Sequence, residues 1–372
     1  MADKLRIGLI FGGRSGEHEV SLLSARSVRS VLDPEMYQVT EIGVTPEGMW
    51  LGGTDVLEAF EKKQYDALSP VIMLPEPQNA MLYQLTKSPL GDILQPYVHL
   101  DVIFPLIHGT FGEDGTLQGL LELADVAYVG SGVLASSVGM DKALFKEVMR
   151  ANQIPVVDWM VFTRQQLESG MAEVVCEIEA SLAYPIFVKP ANLGSSVGIS
   201  KCTSASDLVE GLMDAAQYDR RILVEQGVDA REIEVSILGN ENPQVSVLGE
   251  VLPGEEFYTY DAKYVNDNSV LVIPARVDDA LIHEIQEAAL KAYRLADCAG
   301  MARIDFLLER NSSKFYLGEI NTIPGFTRIS MYPKLLETSG VPYRELVKRL
   351  IQLAQERKSE RDHTKRTYRR GE

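Results

Sequence analysis

Four residues, Arg303, Asp305, Glu319 and Asn321, have the types and the spacing for metal and phosphate chemistry. They lie in residues 301–333, where two apolar, strand-like runs, 302–308 and 314–320, flank a polar segment, 309–313, that reads as a hairpin turn. Side chains alternate faces along a strand, so Arg303 and Asp305 share one face and Glu319 and Asn321 share one on the partner. A turn centred on Ser312 sets Asp305 opposite Glu319 and Arg303 opposite Asn321. Facing carboxylates repel unless a cation lies between them, and burying them is costly without one. Two acids and an amide suit a hard ion such as Mg2+, which keeps water and phosphate oxygens as further ligands. A solvated hairpin face with an Arg–Asp pair is the competing reading. The turn Asn321-Thr-Ile-Pro-Gly-Phe, which brings more backbone polar groups beside the same strand end, favours a metal–nucleotide site.

Further upstream, Lys189 ends an apolar run and is followed by Pro190, which points a compact ammonium at the site where a phosphate would match it. Five residues on, Gly194-Ser195-Ser196-Val197-Gly198 is a small loop whose amides and hydroxyls can wrap a phosphate. It is a generic turn or a phosphate lid, and not a Walker loop. Lys142 stands at a helix N-terminal end, where a bound anion would compensate its unfavourable placement against the helix dipole; a surface lysine is the plainer alternative. Glu225, Gln226 and Val228 end a strand and offer a carboxylate and backbone groups to an adenine edge. Glu17 opens a helix after a glycine-rich junction, where amides and acids can hold a ligand's carboxylate and ammonium; acids are also favoured there whatever the function. His108 begins a second glycine-rich loop, either as a satisfied loop histidine or at a crevice where strands end. The aromatic loop around Lys263 and Tyr264 reads as a lid.

The elements that must position these groups follow from periodicity. Residues 5–11 read as a buried parallel strand, with a helix stopped at Asp33-Pro34 and strands at 38–45 and 100–106. The first domain is therefore doubly wound α/β. Residues 51–98 carry no usable pattern. Later elements are a helix at 205–218, strands at 222–226, 233–238 and 245–251, and helices at 280–295 and 343–355. The domain reading is 1–131, an N-terminal substrate-binding domain; 132–228, a central subdomain; 229–356, a C-terminal catalytic domain; and 357–372, a charged tail expected to be disordered.

A net charge of −17 argues against nucleic acid or an anionic membrane as partner. Cys176, Cys202 and Cys298 are odd in number and widely spaced, as in reduced thiols of a cytoplasmic protein. The apolar run near the N-terminus is too short for a secretory core, and no stretch approaches a membrane span.

Taken in order, the strings GGRSGEHEVS, HGTFGEDGTLQG, GMDK, FVKPANLGSSVG, DAKY, ARIDF and EINTIPGFT resemble the D-alanine–D-alanine ligases of the ATP-grasp fold over nearly the whole chain. The resemblance implies three α/β or α+β domains and ATP-dependent ligation of two D-alanines through an acylphosphate, for peptidoglycan precursor synthesis. It implies ATP with Mg2+ or Mn2+, two ions, and a cytoplasmic homodimer. Glu17 then binds the first D-alanine's ammonium, with His108 nearby; Lys142, Lys189, Ser195, Ser196 and Lys263 hold phosphates. Glu225, Gln226, Val228 and Glu232 surround adenine and ribose. Tyr264 hydrogen-bonds towards Glu17 and Ser195, Arg303 and the Gly325 amide stabilise the oxyanion, and Asp305, Glu319 and Asn321 bind metal. Ser330 and Met331 line the second D-alanine site. Ligases joining D-alanine to D-lactate or D-serine are the nearest alternatives, and Tyr264 in a DAKY string favours the dipeptide. A non-catalytic nucleotide-binding regulator would have lost a metal ligand or Arg303, and a nicotinamide oxidoreductase lacks its G-x-G-x-x-G fingerprint here.

Overall fold

The computed structural model describes residues 4–77, 80–89, 91–194, 197–252 and 270–365. Ser195, Ser196, Lys263 and Tyr264 fall outside these residues. Three sheets carry the chain.

The first sheet begins as sequence patterning requires. β1 (Leu5–Gly12) is buried over most of its length and lies between β2 (Tyr37–Val44) and β7 (Val102–Pro105), parallel to both, with β8 (Ala127–Tyr128) beyond. Helix α1 (His18–Arg29) buries Val20, Leu22, Ala25 and Val28, and places Glu19 in its first turn and Arg26 and Arg29 in its last, matching the helix dipole. Within it Ser21 accepts the Gly12 N–H at 2.7 Å and donates to the Leu106 carbonyl at 2.6 Å, tying two strand ends together. The region without a readable pattern is structured. β3 (Trp50–Gly52), α2 (Val56–Glu61), β4 (Ser69–Met73), β5 (Met81–Ser88) and β6 (Gly91–His99) add an antiparallel extension, giving the order β6-β5-β4-β3-β2-β1-β7-β8. β6 is exposed along nearly its full length, which is why alternation is faint there. α3 (Thr116–Leu123) precedes β8.

Asp141 breaks the next helical stretch in two: α4 (Val133–Met140), then α5 (Lys142–Ala151), which Asp141 caps by accepting the Leu144 N–H at 2.9 Å. The second sheet, order β11-β10-β12-β9, is antiparallel: β9 (Trp159–Thr163), β10 (Ile186–Pro190), β11 (Ser200–Cys202) and β12 (Arg221–Gln226). Its apolar face is covered by α6 (Arg164–Ser181), with a Thr163/Gln166 capping box, and by α7 (Ala205–Tyr218).

The third sheet, order β15-β14-β13-β16-β17, comprises β13 (Ala230–Leu238), β14 (Gln244–Leu252), β15 (Val270–Val272), β16 (Met301–Glu309) and β17 (Phe315–Asn321). α8 (Asp279–Leu295) and α5 pack on one face; α9 (Met331–Thr338) packs against β13 and β14. The expected register holds at the strand ends, Asp305 opposite Glu319 and Arg303 opposite Asn321, but slips by one residue at Gly318. That bulge lets both Leu317 and Ile320 reach the core, which strict alternation forbids.

The final helix, α10 (Tyr343–Asp362), corrects the expected tail: order continues well past residue 356. Arg361 hydrogen-bonds Glu122 and Asp125, Lys358 pairs with Asp125 at 3.4 Å, and Arg357 stacks on Tyr128 at 4.1 Å, so its charged residues are docked rather than solvated. No helix among the described residues is long and apolar enough to cross a membrane.

Candidate active site

Alternation along β10 turns Phe187 and Lys189 away from the α6–α7 core, and Glu225 lies opposite Phe187 on β12 with Trp159 beyond it. Lys189 Nζ approaches Glu225 Oε2 at 2.5 Å. From α5, Lys146 reaches the other oxygen at 2.7 Å and is itself only 1% exposed. Burial pushes the Glu225 carboxyl up, but the two ammonium groups outweigh it and hold the group at about 2. Burial pulls the Lys146 ammonium down against the Glu225 charge; for Lys189, Glu225 first and then Glu319 and Glu232 overcome burial and raise it. Lys146 was not anticipated from the sequence. Its signal was its position one helical turn after Lys142, on the same face.

Lys142 joins three segments. Its backbone N–H donates to the Ala191 carbonyl at 3.0 Å, its Nζ donates to the Leu193 carbonyl at 2.8 Å, and the same Nζ lies 3.6 Å from Glu319 Oε2. The chain just after β10 is further held by Asn192, whose amide donates to Asp141 at 3.1 Å and whose backbone N–H donates to Asp219 at 2.9 Å. Arg221 closes this lattice on Asp141 at 2.5 Å.

On the third sheet the acids are three abreast, because β13 pairs Glu234 with Asp305 as β17 pairs Glu319 with it. Arg303 compensates them: it donates from Nε and Nη2 to the two Asp305 oxygens, at 2.7 Å each, and its Nε lies 3.0 Å from Glu234. Asn321 Nδ2 donates to Asp305 at 3.0 Å, which leaves its carbonyl oxygen for another partner. Among the described residues no three His, Cys, Asp or Glu side chains converge as a metal cluster. Asp305 and Glu319, paired across β16 and β17, and Asn321 beside them offer two carboxylates and an amide oxygen, a donor set of oxygens alone that suits a hard ion.

The first sheet's loops complete the site. Glu17 is the N-cap residue of α1 and is 8% exposed. Its carboxylate rests against two glycines from different parts of the chain: a Cβ on Gly109 would lie 2.6 Å from Glu17 Oε2, and one on Gly194 would lie 2.8 Å from it. Gly109 also has φ +75°, so only glycine suits that position on both counts. His108 is buried; its ring bonds the Ile323 carbonyl through Nδ1 at 2.9 Å and Ser24 Oγ through Nε2 at 2.8 Å. Since a carbonyl only accepts, Nδ1 carries the proton and Ser24 donates to Nε2. Burial holds the ring neutral by lowering its pKa, against the pull of Glu17.

The other anticipated residues fall as follows. Gln226 binds its own neighbourhood, accepting the Ala183 N–H at 2.9 Å and donating to the Ala183 carbonyl at 2.8 Å, so its side chain staples a strand end. Val228 lies just past β12, and Glu232 is on β13 along the Glu234 row. Gly325 sits beside Ser330, whose Oγ would be 3.3 Å from a Cβ there. Met331 is buried with Val251 and Leu335 rather than lining an open surface.

Two family profiles match the chain: the D-ala D-ala ligase N-terminus over residues 6–131 and the D-ala D-ala ligase C-terminus over residues 148–352. A D-alanine–D-alanine ligase of Natranaerobius thermophilus is 47% identical over 362 residues, 96% of this chain and 97% of the relative. One of Heliobacterium modesticaldum is 47% identical over 98% of each. Among solved structures, the D-alanine–D-alanine ligase of Coxiella burnetii superposes with a TM-score of 0.82 at 34% identity, covering 97% of both chains. The VanG D-Ala:D-Ser ligase of Enterococcus faecalis gives 0.82 at 32% identity, covering 95% of this chain and 100% of that one. The fold is ATP-grasp, and the chain belongs to the D-alanine–D-alanine ligase family.

Proposed function

We infer that this protein joins two D-alanine molecules at the expense of ATP, giving D-alanyl-D-alanine, ADP and phosphate for peptidoglycan precursor synthesis. What supports the reading, beside the family match, is that Lys142 lies 3.6 Å from Glu319 and holds the Leu193 carbonyl, next to the Gly194 on which the Glu17 carboxylate rests.

A carboxylate is a poor electrophile, and transfer of the ATP γ-phosphoryl group makes it an acylphosphate with a good leaving group. Glu17 holds the first substrate's ammonium, which orients its carboxylate towards the two lysines. Lys142 and Lys189 neutralise charge on the phosphoryl oxygens, and Glu225 and Glu232 face the nucleoside. Asp305, Glu319 and Asn321 would hold Mg2+ or Mn2+, which when bound neutralises charge on the transferred group. Attack by the second amine builds a tetrahedral oxyanion, for which the Arg303 guanidinium and the Gly325 N–H are preorganised donors. Ser330, next to Gly325, belongs to the second substrate's subsite. In the same reading Ser195, Ser196 and Lys263 would bind phosphate and Tyr264 would take part in catalysis. In this reading 1–131 captures the first substrate and 132–228 and 229–356 clamp the nucleotide; a cytoplasmic homodimer rests on the family likeness alone.

The choice of second substrate is tested by offering D-alanine, D-serine and D-lactate in competition and resolving products by mass. D-alanyl-D-alanine as the dominant product supports the reading; a dominant mixed product assigns the chain to the D-serine or depsipeptide relatives.

A further inference from the structure

The chain between β17 and α9 carries Gly325, and its backbone is held by side chains remote in sequence. The Ile323 N–H donates to Glu113 Oε1 at 3.0 Å, and the Ile323 carbonyl accepts from His108 at 2.9 Å. The Phe326 N–H donates to Ser24 Oγ at 3.3 Å, and the Phe326 carbonyl accepts from the Tyr343 hydroxyl at 2.7 Å. All four polar groups of the peptides flanking Pro324-Gly325 are thereby taken. Glu113 differs from the other anchors in what its second oxygen does. Oε2 accepts the Gly109 N–H at 2.6 Å, and the Gly109 α-carbon is one of the two surfaces on which the Glu17 carboxylate rests. One half-buried carboxylate therefore spans the two ends of the site.

We propose that Glu113 is a positioning residue for the amide-forming half of the reaction, fixing the Gly325 backbone in register with the Glu17 subsite by accepting one amide from each loop. The inference rests on the ligase reading above. A carboxylate is required because both neighbours are N–H donors: glutamine at this position would accept one amide and turn its own NH2 towards the other.

A support that acted only on folding would slow both chemical steps together. A support for the oxyanion donors would spare phosphoryl transfer. The two are separated by following scrambling of 18O from the β,γ-bridge of ATP in the presence of D-alanine, which reports acylphosphate formation, alongside dipeptide by mass. Glu113→Gln should keep D-alanine-dependent scrambling within about twofold of wild type while dipeptide formation falls by about 100-fold, the cost of a small misplacement of reacting groups. Glu113→Asp, which keeps two acceptor oxygens, should recover part of the dipeptide rate. An equal fall in scrambling and dipeptide in both variants, or an undiminished dipeptide rate in Glu113→Gln, overturns the proposal. Wild-type protein lacking any D-alanine-dependent scrambling would instead overturn the ligase reading.

Discussion

Lys146 and Glu225 form an ion pair at 2.7 Å with both side chains almost wholly removed from solvent, 2% and 7% exposed. Neither could be buried alone, since an isolated charge in the interior costs several kcal/mol.

Glu225→Gln should therefore cost about 3–5 kcal/mol, because it strands the Lys146 ammonium. Lys146→Met combined with Glu225→Leu should cost far less than the two single changes together. Urea denaturation of wild type, Glu225→Gln, Lys146→Met, Glu225→Leu and the double variant checks this; a loss below about 1 kcal/mol in Glu225→Gln would show that water reaches the pair.

The same pair sets an acid limit on stability. Glu225 titrates at about 2 in the folded protein against an ordinary value of 4.5, so the folded state binds fewer protons between those values. Its contribution is fully present above pH 4.5 and is lost as pH falls towards 2. Urea midpoints from pH 7 to pH 3 should drop more steeply in wild type than in the Lys146→Met/Glu225→Leu variant, and parallel curves would contradict the assignment.

Glu319→Gln removes charge from the metal-facing row with little change in volume. Turnover should be abolished while the melting temperature stays within about 4 °C of wild type, since the side chain is part-exposed and its partner Lys142 also holds the Leu193 carbonyl. Phosphate release and a thermal melt decide it. Retained activity would remove Glu319 from the metal site.

Asn192→Ala deletes the amide that links the chain after Lys189 to the Asp141 cap. The loss of about 1 kcal/mol of loop order should raise KM for ATP several-fold, up to about tenfold, with a smaller change in kcat. A kcat effect without a KM effect would place Asn192 in the chemistry instead.

Arg361→Ala breaks the docking of the last helix on Glu122 and Asp125. Stability should fall by about 2 kcal/mol, the scale for hydrogen bonds between charged groups that are only part-exposed, with specific activity unchanged. An unchanged melting curve would mean that the helix end contributes nothing.

What could be read in advance was local. The hairpin register followed from period-two alternation for Arg303–Asn321 and Asp305–Glu319, and from the bulge at Gly318 to the turn it is offset by one residue. Lys189 and Glu225 stood near strand ends and Lys142 at a helix start, positions that a sequence marks. Glu234 was not singled out although it faces Asp305, because strand neighbours 71 positions apart leave no mark on spacing. Nor does spacing disclose that His108 and Glu113 grip Ile323, more than 200 residues away. In the antiparallel extension of residues 51–98 the exposure of β6 and the shortness of β3 and β4 left little alternation to read, and the end of α10 was hidden by charges that a tail and a docked helix share.

The central claim is coupling of ATP cleavage to peptide formation. The direct measurement is phosphate release from ATP and Mg2+ with D-alanine, with product mass followed in the same reaction. One D-alanyl-D-alanine formed per phosphate, and no phosphate without D-alanine, is the result predicted. Phosphate release that ignores D-alanine, or no release at all, would contradict it.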